Sequence, residues 1–205
     1  KCAAMKKIGK LLAANEDKLL KRGIDLDGAE FLGNGRNGGA WRLNAGHVFK
    51  ATTDKKEAIN ALIVIDKKLD HVYKVHDVFS ISDELGVPVY GIVQEAGLDK
   101  PSEQERKQFD ATVAALKKGK VDKKMVKKFG LDGMARELKE LGIKSADFHS
   151  GNVLKRGSGF VLIDLGTEGD APKKLKEELV VEDEPSSSMT RTTAKGKPGL
   201  HLIGG

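Results

Sequence analysis

Residues 146–166 read ADFHSGNVLKRGSGFVLIDLG. Asp147 is followed five positions later by Asn152, and an apolar run then leads to Gly157-Ser158-Gly159. A second apolar run, Phe160 to Ile163, delivers Asp164 beside Leu165-Gly166. Two short apolar segments around a glycine-serine turn predict a β-hairpin. The hairpin brings Asn152 and Asp164 to one end, with Asp147 on the turn just before it. Three polar residues that merely cap loops would look the same in isolation. What precedes them in the chain decides between the two readings.

Composition sets the bounds. The chain has 205 residues, 39% hydrophobic and 32% charged, an ordinary soluble profile for one domain, or one domain with a tail. Cys2 is the one cysteine, so an internal disulfide framework is excluded and a reducing compartment such as the cytoplasm, bacterial or phage-infected, is expected. No apolar run approaches the roughly 20 residues of a membrane span. Charges interrupt the apolar positions of the opening KCAAMKKIGKLL, which is therefore not read as a signal peptide. The chain does not begin with Met, and both a fragment and a processed product are compatible with that.

The net charge of +6 has a location: residues 117–128, KKGKVDKKMVKK, carry seven lysines and one aspartate. Such a patch attracts polyanions, or is simply a solvated face between two helices. No aromatic is interleaved with the lysines, so base stacking has no support and nucleic acid is not the expected partner.

Along the chain, Met5, Ile8, Leu11, Leu12 and Leu19 predict an amphipathic helix over 3–21, ended by Gly23. Strand-like runs broken by glycines fill 29–51. Thr53-Asp54 caps a helix from Lys55 to Lys68. Strands follow at His71 to Ser82 and Val87 to Gln94. Pro101-Ser102 with Glu105 forms a capping box that opens a helix to Leu116. Another helix fits Lys123 to Leu141, broken near Gly130 or Gly133 and closed by Gly142. After the hairpin, only Pro172 to Val180 suits a short helix. From Glu182 onward the composition cannot offset its ordering entropy, and a disordered tail is expected. The class is α+β, with an antiparallel sheet early and helices late.

Gly33-Asn34-Gly35-Arg36-Asn37-Gly38 fits G-x-G-x-x-G. The dinucleotide-binding form needs a helix after it, whereas Ala40 to Leu43 reads as a second strand and Asn44-Ala45-Gly46 as a turn. A glycine loop between antiparallel strands is the kinase arrangement; it lets backbone amides approach phosphates closely. An ordinary glycine-rich hairpin is the plain alternative. The next strand, His47 to Lys50, ends on a lysine that can reach phosphates if a carboxylate holds it. Glu57 is the nearest candidate and Asp54 its rival. With loop and lysine in place ahead of them, Asp147, Asn152 and Asp164 make a coherent set. Magnesium takes hard oxygen ligands and keeps several waters. Phosphoryl transfer needs such a metal, plus a carboxylate that orients a hydroxyl and accepts its proton.

Over residues 27–168 the sequence resembles a minimal member of the protein-kinase-like superfamily. The motifs run in order: Gly33 to Gly38, Lys50, Glu57, a hinge at Gln94-Glu95-Ala96, Asp147-Phe148-His149-Ser150-Gly151-Asn152, and Asp164-Leu165-Gly166. With His149, the catalytic loop is similar to the D-x-H-x-x-N form of aminoglycoside phosphotransferases. The resemblance implies a two-lobed kinase-like fold, with a helix over 1–26, a sheet lobe over 27–95, a reduced helical lobe over 96–181 and a tail over 182–205. It implies Asp147 as base, with His149 beside it, and Asn152 and Asp164 as Mg²⁺ ligands. Lys50 would hold the α/β-phosphates, partnered by Glu57. Gly33, Asn34, Gly35, Arg36 and Gly38 would lie over the nucleotide, and Gln94, Glu95 and Ala96 would pair with adenine through backbone groups. Ala40 stands where a valine usually covers adenine, which passes the roof to Trp41 or Leu43. No A-P-E motif follows Gly166. The expected activity is ATP- and Mg²⁺-dependent transfer to a hydroxyl, with protein Ser/Thr somewhat favoured over a small molecule because Ser186 to Thr193 could be a self-substrate. A nucleotide-binding module without kinase activity and an AMP transferase are the rival readings.

Overall fold

The structure is a computed structural model and describes residues 2–35, 37–81, 88–143 and 147–165. The expected helix at 172–180 and the expected tail lie outside the described residues.

The N-terminal segment forms two helices, α1 (Cys2–Ala14) and α2 (Glu16–Lys21), instead of the single one expected. Asn15 divides them. Its side-chain amide donates to the Leu11 carbonyl at 2.9 Å, competing with the backbone ladder. Gly23, at φ 75°, closes α2 as anticipated, with Ile24 N–H donating to Leu19 O and Gly23 N–H to Leu20 O. Ile8, Leu11, Leu12, Leu19 and Ile24 pack on the outer face of a sheet, against Leu43, Phe49, Phe79, Ile81 and Val89.

That sheet is antiparallel throughout. Its strands are β1 (Glu30–Asn34), β2 (Gly38–Arg42), β3 (His47–Thr52), β4 (Val75–Ile81) and β5 (Val89–Glu95), in the order β1-β2-β3-β5-β4. Helix α3 (Lys55–Val64) joins β3 to β4 and is capped by Asp54, whose carboxylate accepts from Lys56 N–H and Glu57 N–H. It stops four residues short of Lys68, because Ile65 is extended and Asp66 takes φ 58°. The strand expected from His71 begins only at Val75. Residues 71–73 bond elsewhere: Leu162 N–H donates to His71 O at 2.8 Å, and Tyr73 N–H to Leu162 O at 2.9 Å.

The helical layer follows. α4 (Glu103–Lys117) opens with the complete Ser102–Glu105 capping box. α5 (Lys123–Lys128) is capped by Asp122, and α6 (Leu131–Glu140) follows a left-handed Gly130. Both Gly130 and Gly133 lie against the His71 ring; a Cβ on Gly133 would sit 2.3 Å from it. The carboxylate of buried Glu137 accepts from Asp70 N–H and His71 N–H at 3.0 and 2.9 Å, fastening that loop to α6. The α5 lysines are exposed.

The expected hairpin forms from β6 (Val153–Arg156) and β7 (Gly159–Leu162), Val153 pairing with Leu162 and Arg156 with Gly159. It is wedged between sheet and helices, where Phe160 and Phe109 each meet Phe129 edge to face. A core of residues from α3, β4, β5, α4, α6 and the hairpin joins the two layers. The architecture is the expected α+β arrangement of a small antiparallel sheet beside a reduced helical layer. Among the described residues no helix is long and apolar enough to cross a membrane.

Candidate active site

The β1–β2 turn is shaped by glycine. A Cβ on Gly38 would fall 1.9 Å from the Ala51 carbonyl oxygen, so β2 and β3 can approach here only without a side chain. Gly35 N–H donates to Gly38 O, and Thr53 N–H to Asn37 O, both at 2.9 Å, which ties the turn to the start of α3. Beneath it opens a cavity of about 690 Å³.

Lys50 projects into this cavity from β3 and is ion-paired with Glu57, one turn into α3. Glu57 is 3% exposed. The rival Asp54 is committed to capping α3. Asp164 Oδ2 also lies 3.7 Å from Lys50 Nζ. Burial alone would lower the Lys50 pKa; the charges of Glu57 and Asp164 outweigh it, and the ammonium is held above its ordinary value. Burial pushes the Glu57 carboxyl up, and Lys50 pulls it back.

The segment 147–152 is held by its own backbone. The Asn152 side-chain amide donates to Asp147 O at 3.0 Å, and Asn152 N–H to His149 O at 3.0 Å. His149 Nδ1 accepts from Gly151 N–H, so in the neutral ring the proton sits on Nε2, 3.6 Å from Asp147 Oδ2. Across the hairpin end, Ile163 N–H donates to Asn152 O at 2.9 Å. Asp110 on α4 accepts from both Ser150 N–H and Ser150 Oγ–H at 2.7 Å.

Gly33, Asn34, Gly35, Gly38, Lys50, Glu57, Gln94, Asp147, His149, Asn152 and Asp164 all line the one cavity. Arg36 lies outside the described residues. Glu95 and Ala96 are not among the lining residues. Glu95 N–H donates to Lys74 O, and its carboxylate takes Lys74 N–H and Arg156. Gln94 enters the cavity instead. It is 8% exposed, and its side-chain oxygen has no hydrogen-bond partner.

The roof also differs from expectation. Ala40 pairs with Lys50 and shares its face, so alternation sends Trp41 and Leu43 to the opposite side. Trp41 meets Phe31 and Phe49 there, and Leu43 packs with α1. Leu32 and Ala40 cover the cavity, with Ile163 also in its wall. Strict period-two counting from Lys50 would have found Ala40. No local pattern marks Asp110, which meets Ser150 only through packing of α4 on the 147–152 segment.

Gln94 offers an unsatisfied acceptor suited to a base, the glycine turn and Lys50 suit phosphates, and Asn152 and Asp164 supply two hard oxygens. Among the described residues no three or more His, Cys, Asp or Glu side chains gather as a cage; magnesium typically takes few protein ligands and completes its shell with phosphates and water.

No protein-family model matches the chain, and no curated protein does. In three dimensions it is similar to two aminoglycoside phosphotransferases. The streptomycin–ATP–APH(2'')-IIa ternary complex aligns over 83% of this chain and 81% of that one, at 13% identity and a TM-score of 0.36. ADP-bound APH(2'')-Ib aligns over 81% and 80%, at 15% identity and a TM-score of 0.37. At these scores the chemistry of the site rests on its own geometry.

Proposed function

We propose that the chain is an ATP- and Mg²⁺-dependent phosphotransferase that acts on a hydroxyl group. The observation that carries this reading is the convergence of the Lys50–Glu57–Asp164 cluster and the Asp147–Asn152 segment under one glycine turn, in one cavity. Each group then has a task. The Lys50 ammonium neutralises phosphate oxygens, and Glu57 keeps it aimed. Backbone N–H groups of the β1–β2 turn approach the phosphates. Asn152 and Asp164 would hold Mg²⁺, which supplies charge neutralisation at the phosphates. Asp147 accepts the acceptor hydroxyl's proton as that oxygen bonds to the γ-phosphorus and the β,γ-bridging P–O bond breaks to release ADP, and the His149 Nε2–H beside it steadies the carboxylate.

Both protein and small-molecule hydroxyls remain as acceptors. The Ser186 to Thr193 segment behind the self-substrate expectation lies outside the described residues. Two measurements test the reading. Mg-ATP should raise thermal stability, by about 2.7 kcal/mol at a hundredfold excess over the dissociation constant; no shift at millimolar Mg-ATP would sink the nucleotide site. ATP labelled at the γ position should pass its label to protein or to an added small-molecule alcohol. Transfer of an α label instead would mean AMP transfer, and transfer of neither would leave a binding module.

A further inference from the structure

Asn60 is 1% exposed, in the middle of a helix whose neighbouring positions are Ala58, Ile59, Ala61 and Ile63. A buried amide in such a setting is costly unless it makes a hydrogen bond. Asn60 Nδ2 donates to the Leu165 main-chain carbonyl at 2.5 Å. Leu165 is itself fully buried, and its carbonyl takes the Asn60 amide inside the protein.

The location gives this bond its meaning. Asn60 stands three residues, about 4.5 Å of helix rise, beyond Glu57 on α3. Glu57 grips Lys50. Leu165 directly follows Asp164 in sequence. On the other side of Asp164, Ile163 N–H is held by Asn152 O at 2.9 Å. The aspartate is thus bracketed through the backbone of both its neighbours, by the hairpin on one side and by α3 on the other. The same helix therefore references Lys50 and Asp164.

We propose that Asn60 is a positioning residue that sets Asp164 in register with Lys50, so that the phosphate-binding cation and the metal-binding carboxylate are placed from one rigid helix. This rests on the phosphotransferase reading, and it predicts a defect specific to the metal.

The test is calorimetric titration of wild type and Asn60→Leu with ATP, in EDTA and at graded Mg²⁺, with single-turnover rates alongside. Leu suits the apolar surroundings and removes the donor. ATP affinity in EDTA should be unchanged, because the glycine turn and the Lys50–Glu57 pair are untouched. The Mg²⁺ concentration needed for half-maximal tightening should rise about tenfold, the lower end of the effect of losing a group that orients a metal ligand, and the turnover rate should fall with it. If Asn60→Leu does not fold, Asn60→Ala, which leaves space instead of bulk, carries the same expectation. Unchanged Mg²⁺ dependence in a folded variant overturns the inference, as does an equal loss of affinity with and without Mg²⁺. Failure of the wild type itself to bind ATP in a Mg²⁺-dependent way overturns the phosphotransferase reading and the inference together.

Discussion

Lys50 Nζ sits 3.7 Å from Asp164 Oδ2 while also ion-paired with Glu57. One ammonium therefore spans two structural units: Glu57 belongs to the helix behind the sheet, and Asp164 to the end of the hairpin. Two carboxylates share one cation.

Replacing Lys50 by Met should lower phosphotransfer by orders of magnitude, since the lysine positions phosphate. It also leaves Glu57 buried without a counter-charge, so stability should fall by about 3 kcal/mol. Adding Glu57→Gln should restore most of that stability but none of the activity. Urea denaturation and rate measurements on the single and double variants check both halves; a double variant no more stable than Lys50→Met would contradict the pairing.

Asp147 and Asp164 should fail in different ways. Asp164→Asn is expected to weaken Mg²⁺ dependence and Mg-ATP affinity together. Asp147→Asn should bind Mg-ATP almost normally while the single-turnover rate drops by about 10²–10⁴-fold, the range for general-base help. If the two variants behave alike in both assays, the division of labour is wrong.

Gln94→Leu removes a buried acceptor that has no partner in the free chain. Thermal stability should hold or rise, because an unsatisfied polar group is lost, whereas ATP affinity should fall about tenfold if that oxygen accepts from the base. A purine riboside triphosphate lacking the 6-amino group should bind wild type and variant equally well. Should Gln94→Leu lose as much affinity for that analogue as for ATP, the side chain does not read the base.

The Glu105 carboxyl is lowered to about 2 by Lys155, which donates to it, and by the Ser102 N–H of the capping box. Its folded-state value lies below the unfolded one, so its stabilising contribution is complete above about pH 4.5 and is lost as the pH falls from there toward about 2. Wild type should therefore be more stable than Glu105→Gln at neutral pH, and the gap should close across that acid window. Circular-dichroism melts at graded pH measure it; a gap that does not change with pH would exclude the ionised link.

Much of the site was legible because its signals are local. The Ser102–Glu105 box, the Asp54 cap and the glycine-serine turn of the hairpin each act through neighbours in sequence, and each formed as expected. Other features needed context. The helix expected to reach Lys68 ended at Val64, and residues 71–73 paired with β7 instead of extending β4. A strand's partner is chosen by what lies beside it in space, and the Glu137 carboxylate that anchors this loop comes from a helix far along the chain.

The sequence by itself determined which chemical groups this protein carries and their order: glycine turn, lysine, acid, then Asp147, Asn152 and Asp164. Order follows from covalent connectivity, and hairpins and caps follow from short-range backbone preferences. Only the tertiary structure decided which of two acids Lys50 takes, that Gln94 and not Glu95 faces the cavity, that Ala40 and not Trp41 roofs it, and that Asn60 meets Leu165. These choices depend on burial. A polar side chain sealed from water must find its partner among the groups that folding brings within reach, and which groups those are is a property of the packed layers, absent from any local stretch of chain.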